Sequence, residues 1–152
     1  MTQAEKLVAL LSAQNLTCAT AESCTGGGVG QAITSVPGAS QVYLGGVVSY
    51  SNSVKEHVLG VSAETLSVKG AVSSECAAQM ASGVRKLLGA DRAVSITGIA
   101  GPDGGTPEKP VGLVWFGLAW PDGVRTEKAI FAGDRAAVRA QAVTHALGML
   151  AV

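Results

Sequence analysis

A three-layer α/β/α fold, with helices on both faces of a mixed, mostly parallel sheet of about five strands, is predicted by two features of the chain. Short apolar runs first alternate with segments whose apolar residues recur at helical spacing, the pattern of strands joined by crossover helices. Two strand-like runs then flank Pro121-Asp122-Gly123, a tight turn that folds them into an antiparallel hairpin.

Each element has its own local reason. Thr2-Gln3-Ala4-Glu5 has capping-box spacing, and Leu7, Leu10 and Leu11 follow at helical intervals, so a first helix runs to about Asn15. Leu16 to Ala21 reads as a short buried strand. A serine-glycine turn follows, then a helix over about Thr25 to Ser35, closed by Pro37-Gly38. Tyr43 to Tyr50 is a second strand whose glycine pair bulges it or admits a ligand closely. Ser51-Asn52-Ser53 supplies caps for a short helix carrying Val54, Val58 and Leu59 and ending at Gly60. Ser62-Ala63-Glu64 caps another short turn. Ser73 or Ser74 starts a longer helix to about Leu88, with Ala77, Met80, Ala81, Val84, Leu87 and Leu88 inward. Arg92 to Ile99, Val111 to Trp120 and Val124 to Phe131 complete the strands, and Asp134 caps a final helix to about Leu150. The loop from Ala100 to Pro110 is longer than a connector needs, and such loops are often functional.

Composition narrows the function. One domain over residues 1–152 is expected, large enough for a core without disulfides or metals. Lysine plus arginine (11) balance aspartate plus glutamate (11), which argues against nucleic acid as the main partner. A small anionic ligand stays open, because one or two placed arginines bind it. Aromatics, at 4%, are too few for base-stacking platforms. No run approaches the roughly 18 apolar residues of a membrane span, and Met1 to Lys6 lacks the form of a signal peptide. No membrane partner and a cytoplasmic location are therefore expected. Cys18, Cys24 and Cys76 lack redox or metal-ligand spacing, and His57 and His145 are the only histidines, so no metal or other cofactor is expected.

The chemistry centres on Thr20-Ala21-Glu22-Ser23-Cys24-Thr25-Gly26-Gly27-Gly28. A strand, a glycine turn and a helix start would expose Ser23 at the apex and point free backbone N–H groups at whatever docks there. The stretch has no GxGxxG, GxxxxGK[ST] or GxSxG signature, and neither histidine is placed to complete a triad. A serine without histidine needs another base, and a lysine of lowered pKa can serve. Lys55 is the candidate: it falls in the first turn of a predicted helix, where the dipole disfavours an ammonium, and burial would act the same way. Residue by residue, bland readings stand beside these. Ser23 reads as a helix cap or a nucleophile, and Lys55 as a solvated lysine or a base. Cys24 is a small buried side chain or a rival nucleophile, and Tyr50 a packing residue or a proton relay. Glu22 is a charge partner for the helix start or a substrate contact, and Glu108 and Lys109 gate the site or are solvated.

Four blocks change the weighting: Ala21-Glu22-Ser23-Cys24-Thr25-Gly26-Gly27; Gly45 to Asn52 with Lys55 and Leu59-Gly60-Val61; Gly70-Ala71-Val72-Ser73; and Thr97 to Gly112, with Gly133-Asp134-Arg135 and Arg139 beyond them. Together they resemble the CinA C-terminal domain family, the competence/damage-inducible module whose stand-alone members are nicotinamide-nucleotide amidases. The likeness covers practically the whole chain, and the glycine-proline block is highly specific. The resemblance implies hydrolysis of the carboxamide of nicotinamide mononucleotide in pyridine-nucleotide recycling, by a stand-alone form of the module. It implies Ser23 as nucleophile, Lys55 as its base and Tyr50 as an assisting hydroxyl. Thr25, Gly26, Gly46, Thr97, Gly98 and Arg139 are the expected substrate contacts: N–H groups near Ser23 or at Gly46 for the oxyanion, and the Thr97-Gly98 strand end and Arg139 for the phosphate. Arg139 reads equally as a surface ion pair. Members commonly associate, so a homo-oligomer is a further expectation. The alternative is a non-catalytic nucleotide-binding or interaction module linked to competence or DNA damage.

Overall fold

The computed structural model describes residues 1–152. Helix α1 (Gln3–Gln14) starts at the capping box read from the sequence, with Thr2 Oγ1 accepting from the Glu5 N–H, and ends at Asn15 in the left-handed conformation. Strand β1 (Cys18–Glu22) follows; its five residues are all buried. Helix α2 (Gly28–Thr34) begins three residues later than predicted, because Gly26 and Gly27 take φ of 61° and 104°, outside the helical range. A 3₁₀ turn (Ala39–Gln41) leads into β2 (Tyr43–Val48). Two six-residue helices, α3 (Asn52–His57) and α4 (Ala63–Val68), are capped by the Ser51 and Ser62 side chains. The long helix α5 (Ser74–Leu88) is capped by Ser73 and stopped by Gly89; Leu87 points outward rather than inward. Strands β3 (Arg92–Gly98), β4 (Leu113–Trp120) and β5 (Gly123–Ile130) precede α6 (Arg135–Leu150), capped by Asp134.

The five strands lie in the order β2-β1-β3-β4-β5. β1 pairs in parallel with both β2 and β3, while β3–β4 and β4–β5 are antiparallel. Four strands therefore run one way and only β4 opposes them, so the sheet is mixed and mostly parallel in direction. The larger core cluster joins α1, α2 and α6 to one face through Leu7, Leu11, Ile33, Ile96, Phe116 and Leu150. The smaller one joins α5 and the segment after α3 to the other face, through Met80, Val84, Leu59 and Val61 against Ala19, Ala21 and Ala93. Those strand residues are small, and a Cβ on Gly117 would meet the Ala77 carbonyl oxygen at 2.5 Å, so α5 lies close on the sheet. The result is the three-layer arrangement expected.

Candidate active site

Connection handedness places the site. β1 leaves into α2 on one face of the sheet, whereas its neighbour β2 leaves into α3 to α5 on the other. Adjacent parallel strands whose connections part to opposite faces leave a crevice beyond their carboxyl ends. Ser23 follows β1 and Lys55 lies in the first helix after β2, so both belong to that crevice. The strand ends are level: the Ser23 N–H donates to the Ile96 carbonyl at 2.9 Å, and the Ser49 N–H to the Glu22 carbonyl at 2.7 Å.

Lys55 is 1% exposed and Ser23 7%. Lys55 Nζ lies 3.1 Å from Ser23 Oγ, 2.7 Å from the Ser49 carbonyl oxygen and 3.2 Å from that of Tyr50. No carboxylate forms a salt bridge with it. Burial without a counter-ion holds its pKa below the usual lysine range. A neutral amine has two N–H donors and one lone pair. As an ammonium, Nζ donates to Ser23 Oγ and to both carbonyls; as a neutral amine with its two N–H groups kept on the carbonyls, it would turn its lone pair to the Ser23 hydroxyl and could accept that hydrogen. The helix dipole does not account for the shift: α3 has six residues, and Lys55 belongs to its last turn as much as its first. Desolvation is the cause.

The turn bearing Ser23 is built around Glu22, 2% exposed. Its carboxylate accepts from Thr25 Oγ1 (2.6 Å) and from the N–H groups of Gly27 (3.2 Å), Val29 (2.9 Å) and Gly30 (3.0 Å). Glu22 is thus the charge partner of the helix start. The α2 N–H groups, expected to be free for a docking ligand, are filled from within the chain. Only the N–H groups of Cys24 and Thr25, in the turn itself, bond to no other residue of the protein.

A cavity of about 310 Å³ opens over the pair, lined by Ser23, Cys24, Tyr50, Asn52, Lys55, Ala71, Val72, Thr97, Gly98, Ala100 and Arg135. Of the predicted contacts, Thr97 and Gly98 are in its wall; Thr97 Oγ1 donates to the Ala71 carbonyl at 2.9 Å and holds that segment against β3. Tyr50 is at the rim with its side chain exposed, and its hydroxyl accepts from Arg135 Nη2 at 3.4 Å. It offers Lys55 a backbone carbonyl, not a hydroxyl relay. Thr25 and Gly26 shape the turn behind Ser23, the Gly26 N–H donating to the Ser23 carbonyl at 3.1 Å. Gly46 is not in the cavity. It pairs with Thr20 within the β2–β1 ladder, where a Cβ would collide with Thr20 Oγ1, so its role is close packing. Arg139 is not in this lining; it lines a neighbouring cavity of about 510 Å³ that shares Ala100 and Arg135 with it, and donates to the Cys24 and Thr25 carbonyls at 3.0 and 3.3 Å. Sequence reasoning missed Arg135, one helical turn earlier, which reaches the cavity while donating to the Gly101 carbonyl at 2.8 Å. Its place in the Gly133-Asp134-Arg135 block, beside the Asp134 cap, is the signal that could have singled it out. Asn52, a cap by sequence, lines the cavity instead.

Burial pushes the Cys24 thiol up to about 11, so it is not a thiolate near neutral pH. No three His, Cys, Asp or Glu side chains are grouped to hold a metal ion, and no helix is long and apolar enough to cross a membrane.

Against known proteins, the family model described as the CinA C-terminal domain matches residues 1–152. A putative competence-damage inducible protein of Thermoanaerobacter sp. (strain X514) is 53% identical over 96% of the chain, which spans only 35% of that relative. The structure of the competence/damage inducible protein CihA from Agrobacterium tumefaciens superposes with a TM-score of 0.95 at 41% identity, covering 97% of this chain and 91% of that one. A CinA superfamily protein from Klebsiella pneumoniae gives a TM-score of 0.94 at 40% identity, over 98% and 93% of the two chains.

Proposed function

We propose an amidase function for this chain, which belongs to the CinA C-terminal domain family: hydrolysis of the carboxamide of nicotinamide mononucleotide to nicotinic acid mononucleotide and ammonia. The observation that carries it is the 3.1 Å contact between Ser23 Oγ and a buried lysine without a counter-ion. Lys55 Nζ takes the hydroxyl proton as Ser23 Oγ bonds to the carboxamide carbon. The tetrahedral oxyanion is held by the unpaired N–H groups of Cys24 and Thr25. The Lys55 ammonium then protonates the departing nitrogen, the C–N bond breaks, and an ester on Ser23 remains. Lys55, neutral again, deprotonates the water that attacks the ester, and returns that proton to Ser23 Oγ as the acyl C–O bond breaks, releasing the nicotinic acid product and restoring both groups.

Arg135 lines the cavity, forms no salt bridge, and is the residue suited to the 5′-phosphate. Tyr50 assists from the rim through its contact with Arg135. The activity is a step of pyridine-nucleotide recycling.

Ammonia release from nicotinamide mononucleotide, its riboside and free nicotinamide tests the reading. Release should be fastest with the nucleotide and fall at least ~10³-fold in Ser23→Ala with the fold intact. Tight binding of the nucleotide without turnover would favour a binding module instead.

A further inference from the structure

We propose that Glu22 and Arg139 form a two-sided clamp on the nucleophile turn, and that both are positioning residues which aim the Cys24 and Thr25 N–H groups at the oxyanion. This rests on the serine-hydrolase reading of the site. It reassigns Arg139 from substrate contact to scaffold.

Glu22 grips the turn by its donors and Arg139 by its acceptors. The Glu22 carboxylate takes Thr25 Oγ1 and the N–H groups of Gly27, Val29 and Gly30 at 2.6–3.2 Å, a set suited to an ionised carboxylate at a helix start. Arg139 donates Nε to the Cys24 carbonyl and Nη2 to the Thr25 carbonyl. Neither side chain forms a salt bridge, with the other or elsewhere, so the turn's backbone is the common partner of both charges.

The peptide unit makes this directional. Its C=O and N–H are fixed antiparallel in one trans plane. Turning the Cys24 carbonyl to Arg139 therefore turns the Thr25 N–H the opposite way. The Ser23 carbonyl accepts from the Gly26 N–H inside the turn, which sends the Cys24 N–H outward. The two N–H groups so oriented are the two left unpaired. Gly26 completes the fit: its φ of +61° suits glycine, and a Cβ there would lie 3.3 Å from Arg139 Nη2.

The test uses Glu22→Gln, Arg139→Lys and Arg139→Ala in the full chain. The Glu22→Gln side chain would keep an acceptor for Thr25, Gly27 and Val29 but set an NH₂ against the Gly30 N–H. Ammonia release from the nucleotide and its riboside is measured beside the rate at which a fluorophosphonate labels Ser23, which reports nucleophile and oxyanion donors without any nucleotide. A clamp predicts that kcat falls about 10²–10³-fold, the cost of a lost oxyanion donor. KM should move only a few-fold, both substrates should suffer alike, labelling should slow in parallel, and the acid limb of the pH profile should stay in place. Added methylguanidine should partly restore Arg139→Ala. Folded variants with unchanged kcat and labelling, lowered only in Tm, would overturn the proposal. So would an Arg139 effect confined to KM for the phosphate-bearing substrate. If Glu22→Gln does not fold, Arg139→Lys decides alone by the same criteria. Should the wild type release no ammonia yet label quickly while the variants label slowly, the clamp stands and the amidase reading fails.

Discussion

At the scale of single residues, the proposed chemistry rests on removing one lysine from water and giving it no anion. An exposed Lys55 would stay protonated near neutral pH and could not accept the Ser23 hydrogen. In the folded chain, Nζ meets two carbonyls and a hydroxyl, and burial lowers its pKa. The same shift makes a stability statement. Between the lowered folded pKa and the unfolded value of about 10.4, the unfolded chain holds a proton that the native chain has released. Stability contributed through this group therefore rises with pH across that window, and the full penalty of a buried ammonium is present below it. Lys55→Met removes the titration and the activity together. Thermal unfolding across pH should show the mutant's Tm gaining on the wild type toward acid and losing that advantage toward about pH 10; a pH-independent difference would count against burial of the charge. Cys24 provides a contrast of the opposite sign. Burial raises its thiol to about 11, so Cys24→Ala should retain ammonia release within about threefold, since a small buried apolar side chain is what the substitution replaces.

At the scale of elements, the chain was readable wherever the signal was local. The Thr2 capping box, the serine caps at Ser51, Ser62 and Ser73, the Asp134 cap and the turn before β5 are each written within a few residues, and each is present. What escaped depended on contacts between elements. The α2 start moved to Gly28 because Gly26 and Gly27 take positive φ to let Glu22 reach back to Val29 and Gly30. The Gly45-Gly46 pair reads as a bulge or a ligand approach; the β1–β2 register shifts between Cys18 and Ala19, as a bulge requires, and Gly46 packs on Thr20, which only that register reveals. Arg135 and Arg139 are one turn apart on α6, and no pattern in the sequence says which reaches the cavity. The helix α5 carries an element-scale prediction. A Cβ on Gly83 would collide with the Leu59 carbonyl oxygen, just beyond the helix that holds Lys55. Gly83→Ala should lower stability by about 1–3 kcal/mol, as overpacking does, or roughly 2–12 °C in Tm for a chain of this size. It should also slow ammonia release where the protein is still folded. Unchanged melting would mean that α5 and Leu59 are not in close contact.

At the scale of the whole molecule, the site is a property of topology. Three parallel strands end level, and their connections part to opposite faces. Residues 23, 49–55 and 97–98 then meet at one crevice although they are far apart in sequence. Neither the serine turn nor the lysine helix makes a site alone. Pairing them requires β1 to sit beside β2, α3 to pack back toward β1, and the 71–72 segment to close the wall through Thr97. The lowered lysine pKa is where that assembly can be read in one number. The most direct measurement is the titration of the Lys55 side chain by NMR in ¹³C-lysine-labelled protein, with Lys55→Met identifying its signal among the six lysines. The expected midpoint lies well below about 10.4 and coincides with the acid limb of kcat/KM for ammonia release. A Lys55 that titrates like the remaining lysines in folded, active enzyme would contradict it.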